Sequence, residues 1–254
     1  MLCGQHIAVV VPALNEERHI ASVIATMPGF VDRIWVVDDG SVDGTAACAL
    51  RMTDRRLKVL YHAKTRGVGA ALRTGYLAAF AAGADVVAVM GGDAQMDPRD
   101  LRSLVEPVAT GIADYSKGNR LQHKDARRHM PVMRWIGNHL LSRMTRVATG
   151  LSMMDSQCGY TALSRTGAAR MPMAQLWRGY GYPNDLLGWV AIAKLRVVDV
   201  PVQPLYGDEV SGIRVHHALA LIPALLLRVM LRRALYVCST RARVRKLVQV
   251  AGRW

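Results

Sequence analysis

The first half of the chain alternates short apolar runs with polar, glycine-containing breaks and stretches of helical pattern. Buried strands are predicted from the apolar runs at residues 7–11, 34–37, 57–61 and 86–90. Helices are predicted between and after them, at residues 16–27, from residue 45, at 70–82 and at 98–108. A strand–helix alternation of about 25 residues per unit is typical of parallel strands with right-handed crossovers, so we expect an α/β domain with a mostly parallel sheet flanked by helices.

The second half is less regular but continues the same classes of element. Strands are predicted at residues 113–120, 156–163 and 196–205, and helices at 132–149 and 184–193. Prolines interrupt the last strand, which favours a place at the edge of the sheet. The sequence has no internal repeat and no low-complexity linker, so we interpret residues 1–214 as one domain.

The segment at residues 216–237 is strongly apolar, yet it contains Pro223, Arg228, Arg232 and Arg233. No window of about 18 residues in it is both apolar and uncharged, so we do not expect a membrane-spanning helix. An apolar helix with snorkelling arginines predicts instead that residues 215–254 form a basic, amphipathic membrane-surface helix. The alternative is a C-terminal helix packed on the domain, with its arginines in solvent.

Composition narrows the possible classes of protein. With 254 residues, 51% of them hydrophobic, the chain can build a substantial core. The net charge is +14 and no acidic residue follows Glu209, which indicates an anionic partner, either nucleic acid or anionic lipid. Aromatic residues are only 6% of the chain and do not interleave with the basic ones, which disfavours nucleic acid. The four scattered cysteines suggest reduced cytosolic thiols and no zinc site, and we see no signal peptide.

Polar side chains follow each of the first four predicted strands. In chain order they are Asn15 and Glu16, Asp38 and Asp39, Thr65, Arg66 and Gly67, and Asp93 and Gln95. Because the carboxyl ends of parallel strands share one edge of a sheet, we expect these clusters to form a single crevice. Its carboxylates suit ribose hydroxyls and base N–H groups, while Arg66 adds positive charge. No G-x-G-x-x-G follows the first strand, which counts against a dinucleotide-binding oxidoreductase.

The stretch VVAVMGGDAQMDP at residues 86–98 carries the candidate metal ligands. In extended chain, alternate side chains share one face, so Asp93 and Gln95 offer two oxygens to one cation. Oxygen ligands of this kind are those that Mg²⁺ and Mn²⁺ prefer. The alternative interpretation is a polar turn at the end of a strand, without a metal.

Several of these motifs together resemble the inverting family 2 glycosyltransferases of GT-A fold. The shared strings are VVPALNE at residues 10–16, VDDGSVDGT at 37–45, GVGAA at 67–71 and DAQ at 93–95. Later strings are similar to those of the polyprenyl-phosphate (dolichyl-phosphate-type) mannosyl- and glucosyltransferases: GNR at 118–120, DSQCGY at 155–160 and SGIR at 211–214. The resemblance covers about residues 6–215, and the DSQCGY string is its more selective part.

The resemblance implies a role for each matching residue. A nucleotide-sugar donor would be bound by Pro12, Asn15, Glu16, Asp38, Asp39, Arg66 and Gly67. Asp93 and Gln95 would hold Mg²⁺ or Mn²⁺ at the donor diphosphate. Arg120 and Arg134 would receive the acceptor phosphate, and Arg214 would close over the donor phosphates from a loop.

The chain also departs from that family. Gly91 stands where relatives have the first Asp of an Asp-x-Asp motif, and Val68 replaces a lysine. Asp185, in the string PND at residues 183–185, matches an acidic residue that acts in relatives as a base or orienter. Its alternative role is to cap a helix, since Asp favours helix starts.

The expected activity follows from the resemblance. The protein would transfer a hexose, from GDP-mannose in preference to UDP-glucose, to a polyprenyl phosphate with inversion. It would act as a peripheral protein at the cytoplasmic face of the cell membrane, on anionic lipids and without nucleic acid. A phosphate acceptor is already an anionic nucleophile and needs no strong base. The alternatives are a soluble family 2 enzyme that acts on a hydroxyl and needs a base such as Asp185, and a relative that only binds sugar nucleotides.

Overall fold

The structure is a computed structural model that describes residues 1–123, 130–205 and 221–251, with side chains of the last helix described to residue 237. Its strands are β1 (Ile7–Ala13), β2 (Arg33–Asp38), β3 (Leu57–Tyr61), β4 (Val86–Val89), β5 (Tyr115–Asn119), β6 (Thr161–Ser164) and β7 (Val197–Pro201). Its α-helices are α1 (Ile20–Ala25), α2 (Thr45–Leu50), α3 (Val68–Ala81), α4 (Leu101–Ala109), α5 (Val132–Thr149), α6 (Arg165–Ala169), α7 (Tyr182–Ile192) and α8 (Ile222–Ala251). Short 3₁₀ turns lie at Pro98–Asp100 and Met173–Gln175.

The seven strands form one sheet in the order β3-β2-β1-β4-β6-β5-β7. β6 runs antiparallel to both of its neighbours, and every other pairing is parallel. The carboxyl ends of β1 to β4 therefore share one edge with the carboxyl end of β5 and with the segment that enters β6. The predicted α/β fold is confirmed, and so is the edge position of the last strand.

Alternate residues of β1 divide the core into two layers. Ile7, Val9 and Val11 pack with α1 and α4 on one face of the sheet, and Ala8 and Val10 pack with α3 and α7 on the other. A strand that is apolar on both faces can only be stable between two layers of helices. This is why the first strand reads as a continuous apolar run.

Two predicted elements begin four or five residues later than expected. The helix expected to begin at Glu16 begins at Ile20, because the preceding loop is bonded to its neighbour: the Glu17 N–H donates to Asp43. The strand predicted at residues 156–163 is extended only from Thr161. The Asp155 carboxylate accepts from the N–H groups of Gln157 and Cys158, which curls the chain into a turn before the strand can start.

The first turns of α8 are docked on the body of the molecule. Ile222, Leu226 and Val229 form a small core with Ala148 of α5, and Leu225 is buried as well. The packed-helix alternative is therefore correct for this part of the segment. The predicted division at residue 214 falls in residues 206–220, outside the described part of the chain, and stays a prediction. No helix in the described ranges is long and apolar enough to cross a membrane.

Candidate active site

The loops that follow β1 and β2 are bonded to each other. The Asn15 N–H donates to Ser41 Oγ (2.9 Å), and Asn15 Oδ1 accepts from the Val42 N–H (3.0 Å). Asn15 has a left-handed φ of 59°, a conformation that Asn tolerates better than most residues. The Glu16 N–H donates to Thr45 Oγ1 (2.7 Å). The first two predicted clusters therefore form one surface.

Asp38 and Asp39 are buried and hold the backbone of loops. Asp38 Oδ1 accepts from the N–H (2.9 Å) and hydroxyl (2.5 Å) of Ser41. Asp39 accepts from the N–H groups of Arg66 (3.0 Å) and Gly67 (2.7 Å), which joins the loop after β2 to the loop after β3. The structure thus gives both carboxylates a supporting role, whatever they contribute to a ligand.

His62 links the Asp39 carboxylate to the Thr74 hydroxyl of α3. Its Nδ1 lies 2.6 Å from Asp39 Oδ1, and its Nε2 lies 2.9 Å from Thr74 Oγ1. A carboxylate can only accept, so Nδ1 carries the proton of this hydrogen bond. His62 is not among the residues predicted from the sequence, although its position directly after β3 could have indicated it.

Pro12 joins the first strand to the candidate metal-binding turn. Its carbonyl accepts from the Gly92 N–H (3.1 Å), directly before Asp93. The Gln95 N–H donates to Asp93 Oδ1 (3.1 Å), and Ala94 has a φ of 59°. The segment is therefore a tight turn, and the expectation that Asp93 and Gln95 share the face of an extended chain was wrong in its premise. Both side chains nevertheless line the same cavity.

Gly91 lies directly beside Asp93. A Cβ built on Gly91 would be 2.7 Å from Asp93 Oδ1. The residue that departs from Asp-x-Asp thus occupies the position from which a second carboxylate would reach Asp93. Within the part of the chain that the structure describes, no three His, Cys, Asp or Glu side chains form a metal-binding group.

The cavity brings together candidates from both halves of the sequence. Asp93, Gln95 and Arg120 line it, together with residues 158–160 and side chains that follow β7. Its lining does not include Arg134, which is half-buried in the first turn of α5. Arg66 is exposed on the loop after β3. Arg214 lies outside the described residues.

Arg120 is held by Asp155 in a bidentate pair. Nε donates to Asp155 Oδ2 (2.8 Å) and Nη2 donates to Oδ1 (3.1 Å). The Asp155 side chain is fully buried. Burial alone would raise the pKa of Asp155, but Arg120 and Lys117 outweigh it and hold this pKa below its usual value. Asp155 therefore stays ionised and fixes the guanidinium at the cavity wall.

Lys117 is a buried lysine near Asp155 and is not among the residues predicted from the sequence. It lies in β5, is fully buried, and its Nζ donates to the carbonyl of Cys158. Burial lowers its pKa. Asp199 of β7 lies close by, and burial raises the pKa of its carboxyl. A lysine inside an otherwise buried strand was the available signal in the sequence.

Asp185 is enclosed. Its side chain is 0% exposed. Oδ2 accepts from the Trp177 N–H (2.9 Å), and Oδ1 accepts from Nη1 of Arg232 (2.9 Å). It lies in the first turn of α7 but stabilises the loop before that helix, and the N-cap is Gly181. The expectation that Arg232 snorkels or stays in solvent was wrong, because this buried carboxylate binds it.

Comparisons with known proteins show the family of this chain. The family model described as Glycosyl transferase family 2 matches residues 8–170. A UDP-N-acetylglucosamine–dolichyl-phosphate N-acetylglucosaminyltransferase from Methanococcus voltae is 26% identical over 217 residues, which cover 80% of this chain and 86% of the relative. A polyprenol monophosphomannose synthase from Mycolicibacterium smegmatis is 28% identical over 226 residues, covering 85% and 84%.

A solved structure has the same architecture. Glucosyl-3-phosphoglycerate synthase from Mycobacterium tuberculosis, crystallised with Mn²⁺, UDP and phosphoglyceric acid, superposes with a TM-score of 0.67 at 23% identity, over 91% of this chain and 78% of that one. At this identity the likeness concerns the fold alone. The predicted GT-A fold is thereby confirmed.

Proposed function

This chain belongs to glycosyl transferase family 2 and is a glycosyltransferase, and from that premise we propose that it transfers a hexose from a nucleotide sugar to a polyprenyl phosphate with inversion. The observation that supports this most is the shared cavity of Asp93, Gln95 and Arg120. It offers oxygen ligands for a cation and a fixed guanidinium for an anion within one space. Relatives named for dolichyl-phosphate and polyprenol substrates support the lipid acceptor.

Asp93 and Gln95 fit a divalent ion bound together with its donor. Asp93 and Gln95 line the same cavity and could supply one carboxylate and one amide oxygen. Mg²⁺ usually binds through one or two carboxylates, with substrate phosphates and water completing its shell. Mg²⁺ or Mn²⁺ bound here would neutralise the charge of the leaving nucleoside diphosphate.

Arg120 would orient the acceptor phosphate. A guanidinium forms charge-assisted hydrogen bonds to phosphate, and Asp155, which accepts from Nε and Nη2 of Arg120, would hold the group in place before the substrate arrives. A phosphate oxygen would form the new bond to the anomeric carbon while the bond from that carbon to the donor diphosphate breaks. The electron pair of the broken bond leaves with the nucleoside diphosphate, so an in-line reaction inverts the configuration.

The enclosure of Asp185 favours a phosphate acceptor over a hydroxyl acceptor. A hydroxyl nucleophile needs a base within hydrogen-bond reach. Both oxygens of Asp185 are already engaged by Arg232 and by the Trp177 N–H, and the side chain is fully buried. An anionic phosphate requires no such base.

Two apolar helix faces support a place at a lipid surface. Exposed large apolar side chains lie along both α5 and α8: Val132, Met133, Ile136, Leu140, Val147, Leu227, Met230, Leu231, Leu235 and Tyr236. Leu140 and Val147 of α5 and Leu227 and Met230 of α8 line one groove, so the two faces are continuous. We call this set of residues the apolar platform. We propose that it rests on anionic lipid at the cytoplasmic face of the cell membrane, where the acceptor phosphate lies.

The test is transfer to undecaprenyl phosphate in vesicles, with GDP-mannose and UDP-glucose as separate donors and with Mn²⁺ or EDTA. We expect an organic-extractable product whose anomeric configuration, read by NMR, is opposite to that of the donor. The control is Asp93→Ala, which we expect to abolish transfer while the circular dichroism spectrum and melting temperature stay unchanged. Transfer to glycerol phosphates or sugars with none to the polyprenyl phosphate would overturn the proposal.

A further inference from the structure

We infer that Asp185 and Arg232 are positioning residues that hold residues 177–179 against the glycine turn before α3. This makes the C-terminal helix α8 a support of the donor side of the site. The inference rests on the proposed function, because it explains how a helix away from the cavity affects donor binding. Three consecutive links carry it.

The first link joins α8 to α7. Arg232 donates from Nη1 to Asp185 Oδ1 (2.9 Å) and from Nη2 to the Asp185 carbonyl (3.2 Å). The centre of its guanidinium lies 3.7 Å from the centroid of the Trp189 ring. Gly188 leaves room for it, since a Cβ there would lie 2.7 Å from Nη2. A charge that is bonded, stacked and largely buried fixes the position of α8 on α7.

The second link joins α7 to the start of α3. Asp185 Oδ2 accepts from the Trp177 N–H (2.9 Å). The next carbonyl, that of Arg178, accepts from the N–H groups of Gly69 (2.7 Å) and Ala70 (3.2 Å). The Gly69 N–H belongs to the first turn of α3, where N–H groups lack an intrahelical partner, whereas the Ala70 N–H also donates to the Gly67 carbonyl (2.8 Å).

The third link joins the start of α3 to the donor side. Gly67 and Gly69 touch the segment closely: a Cβ on Gly67 would lie 2.5 Å from the Arg178 oxygen, and one on Gly69 would lie 1.9 Å from the Trp177 oxygen. Asp39 accepts from the Gly67 N–H at 2.7 Å. A shift of the segment therefore removes the partner of the Gly69 N–H and loosens the turn that Asp39 holds.

If Asp185 were a catalytic base, changes at Asp185 and Arg232 would have different kinetic effects. A base contacts the reacting group, so Asp185→Asn would lower kcat and change the pH profile, and Arg232 would matter little. A positioning pair acts through donor affinity, so changes at either residue would raise KM for the nucleotide sugar at a similar kcat. The two single changes would also be non-additive, because each breaks the same link.

The experiment measures three variants: Arg232→Gln, Asp185→Asn and the double variant that carries both changes. Each is compared with the control variant Arg233→Gln. Arg233 is the matched control: it is the next residue of α8, and it contacts α5 through the Ala148 carbonyl (3.4 Å). For Arg232→Gln and Asp185→Asn we expect the donor KM and the Kd of GDP or UDP with Mn²⁺ to rise about tenfold, as for loss of one charge-assisted hydrogen bond. The double variant should lose no more than either single variant. Arg233→Gln should match the wild type.

Amide hydrogen exchange tests the same links without any ligand. In Arg232→Gln we expect faster exchange at Trp177 and Gly69, with unchanged protection in β1. Arg232→Lys keeps the charge but loses the planar guanidinium, so it should lose part of this protection, and it replaces the Gln variant if that variant folds poorly. Unchanged exchange and Kd in Arg232→Gln would overturn the inference, as would a loss of kcat confined to Asp185→Asn. Failure of the wild type to glycosylate polyprenyl phosphate would instead count against the proposed function.

Discussion

The strand-end edge of the sheet and the helical side formed by α5, α7 and α8 use charged groups in different ways. At the edge, Asp38 and Asp39 bond the backbone of loops, and Asp93 and Arg120 line a cavity. On the helical side the charged pair is enclosed, and the surface around it is apolar and exposed. The edge therefore presents charged side chains to a cavity, while the helical side uses charge to fix helices in place.

Two ion pairs make the contrast concrete. Asp155 and Asp185 are both fully buried, and their arginines, Arg120 and Arg232, are 20% and 16% exposed. The first pair opens onto the cavity, and the second is covered by the Trp189 ring. The two pairs also differ in geometry: Arg120 bonds both carboxylate oxygens of Asp155, whereas Arg232 bonds one carboxylate oxygen and the backbone carbonyl of Asp185.

Breaking the cavity pair should have the largest effect. Arg120→Gln removes the cation proposed to receive the acceptor phosphate, and we expect kcat/KM for the polyprenyl phosphate to fall about 100- to 1000-fold, as for removal of one transition-state donor. Donor affinity, measured as the Kd of GDP or UDP, should change little.

The matched control for Arg120→Gln is Arg196→Gln. Arg196 makes a similar pair with Asp114, which directly precedes β5 and so lies at the opposite edge of the sheet. Its loss should leave transfer unchanged. Equal losses in the two variants would mean that Arg120 matters only for folding.

The sequence predicted the edge better than the helical side. Strand ends follow from apolar runs and glycine breaks, and parallel strands must bring their carboxyl ends together. The clusters at Asn15, Asp39 and Asp93 could therefore be placed without coordinates. Their hydrogen-bond partners could not, because His62 and the backbone of Gly67 meet Asp39 only through loop geometry.

The helical side depends on contacts between distant parts of the chain. Arg232 and Asp185 are 47 residues apart, and neither helical pattern reveals which side chain of the other helix it meets. The same holds for Lys117, whose partner is a carbonyl 41 residues away. The apolar pattern of residues 216–237 predicted a helix, which the structure describes from Ile222 onward, but the pattern could not distinguish docking on protein from docking on lipid.

Changing the apolar platform should have the second-largest effect and would show what the helical side faces. The double change Leu140→Glu and Leu227→Glu places charges in the exposed groove between α5 and α8. We expect binding to anionic vesicles to weaken at least about 30-fold, because re-exposing one large apolar side chain costs about 2 kcal/mol. Co-sedimentation with vesicles measures it.

The matched control for the platform carries the same charge change elsewhere. Ile112→Glu with Leu77→Glu alters two exposed apolar side chains that do not line the groove. Binding should fall only slightly, through net charge. If vesicle binding fell equally in both variants, the loss would reflect net charge and not the apolar platform.

Deletion of residues 216–254 should also abolish co-sedimentation.

Adding a carboxylate at the edge should have a moderate effect. Gly91→Asp restores the Asp-x-Asp pattern, and its Cβ would lie 2.7 Å from Asp93 Oδ1, so the Asp93 side chain must rotate. Because cation affinity rises with ligand charge, we expect the half-saturating Mn²⁺ concentration in the transfer assay to fall about tenfold. Gly91→Asn supplies the same bulk without the charge and should not lower it. Unchanged Mn²⁺ dependence in Gly91→Asp would contradict the metal assignment to Asp93 and Gln95.

The smallest expected effect is on the acid dependence of stability, which tests whether Asp155 is ionised in its pair with Arg120. Burial opposes ionisation of Asp155, yet Arg120 and Lys117 keep its folded-state pKa below the usual value of 3.8. Its contribution to stability is therefore complete above the unfolded-state pKa and is lost as pH falls through the lower folded-state pKa. We measure the free energy of unfolding in urea at pH values under about 4. As the pH is lowered, this free energy should decrease less in Asp155→Asn than in the wild type. The slopes should differ by at most about 1.4 kcal/mol per pH unit, the value for one proton. Asp54, whose pKa is lowered by its hydrogen bond to Arg56, titrates in both proteins and cancels from the difference. Identical acid profiles would mean that Asp155 does not hold Arg120 as an ionised partner, and the contrast between the open and the covered pair would then rest on geometry alone.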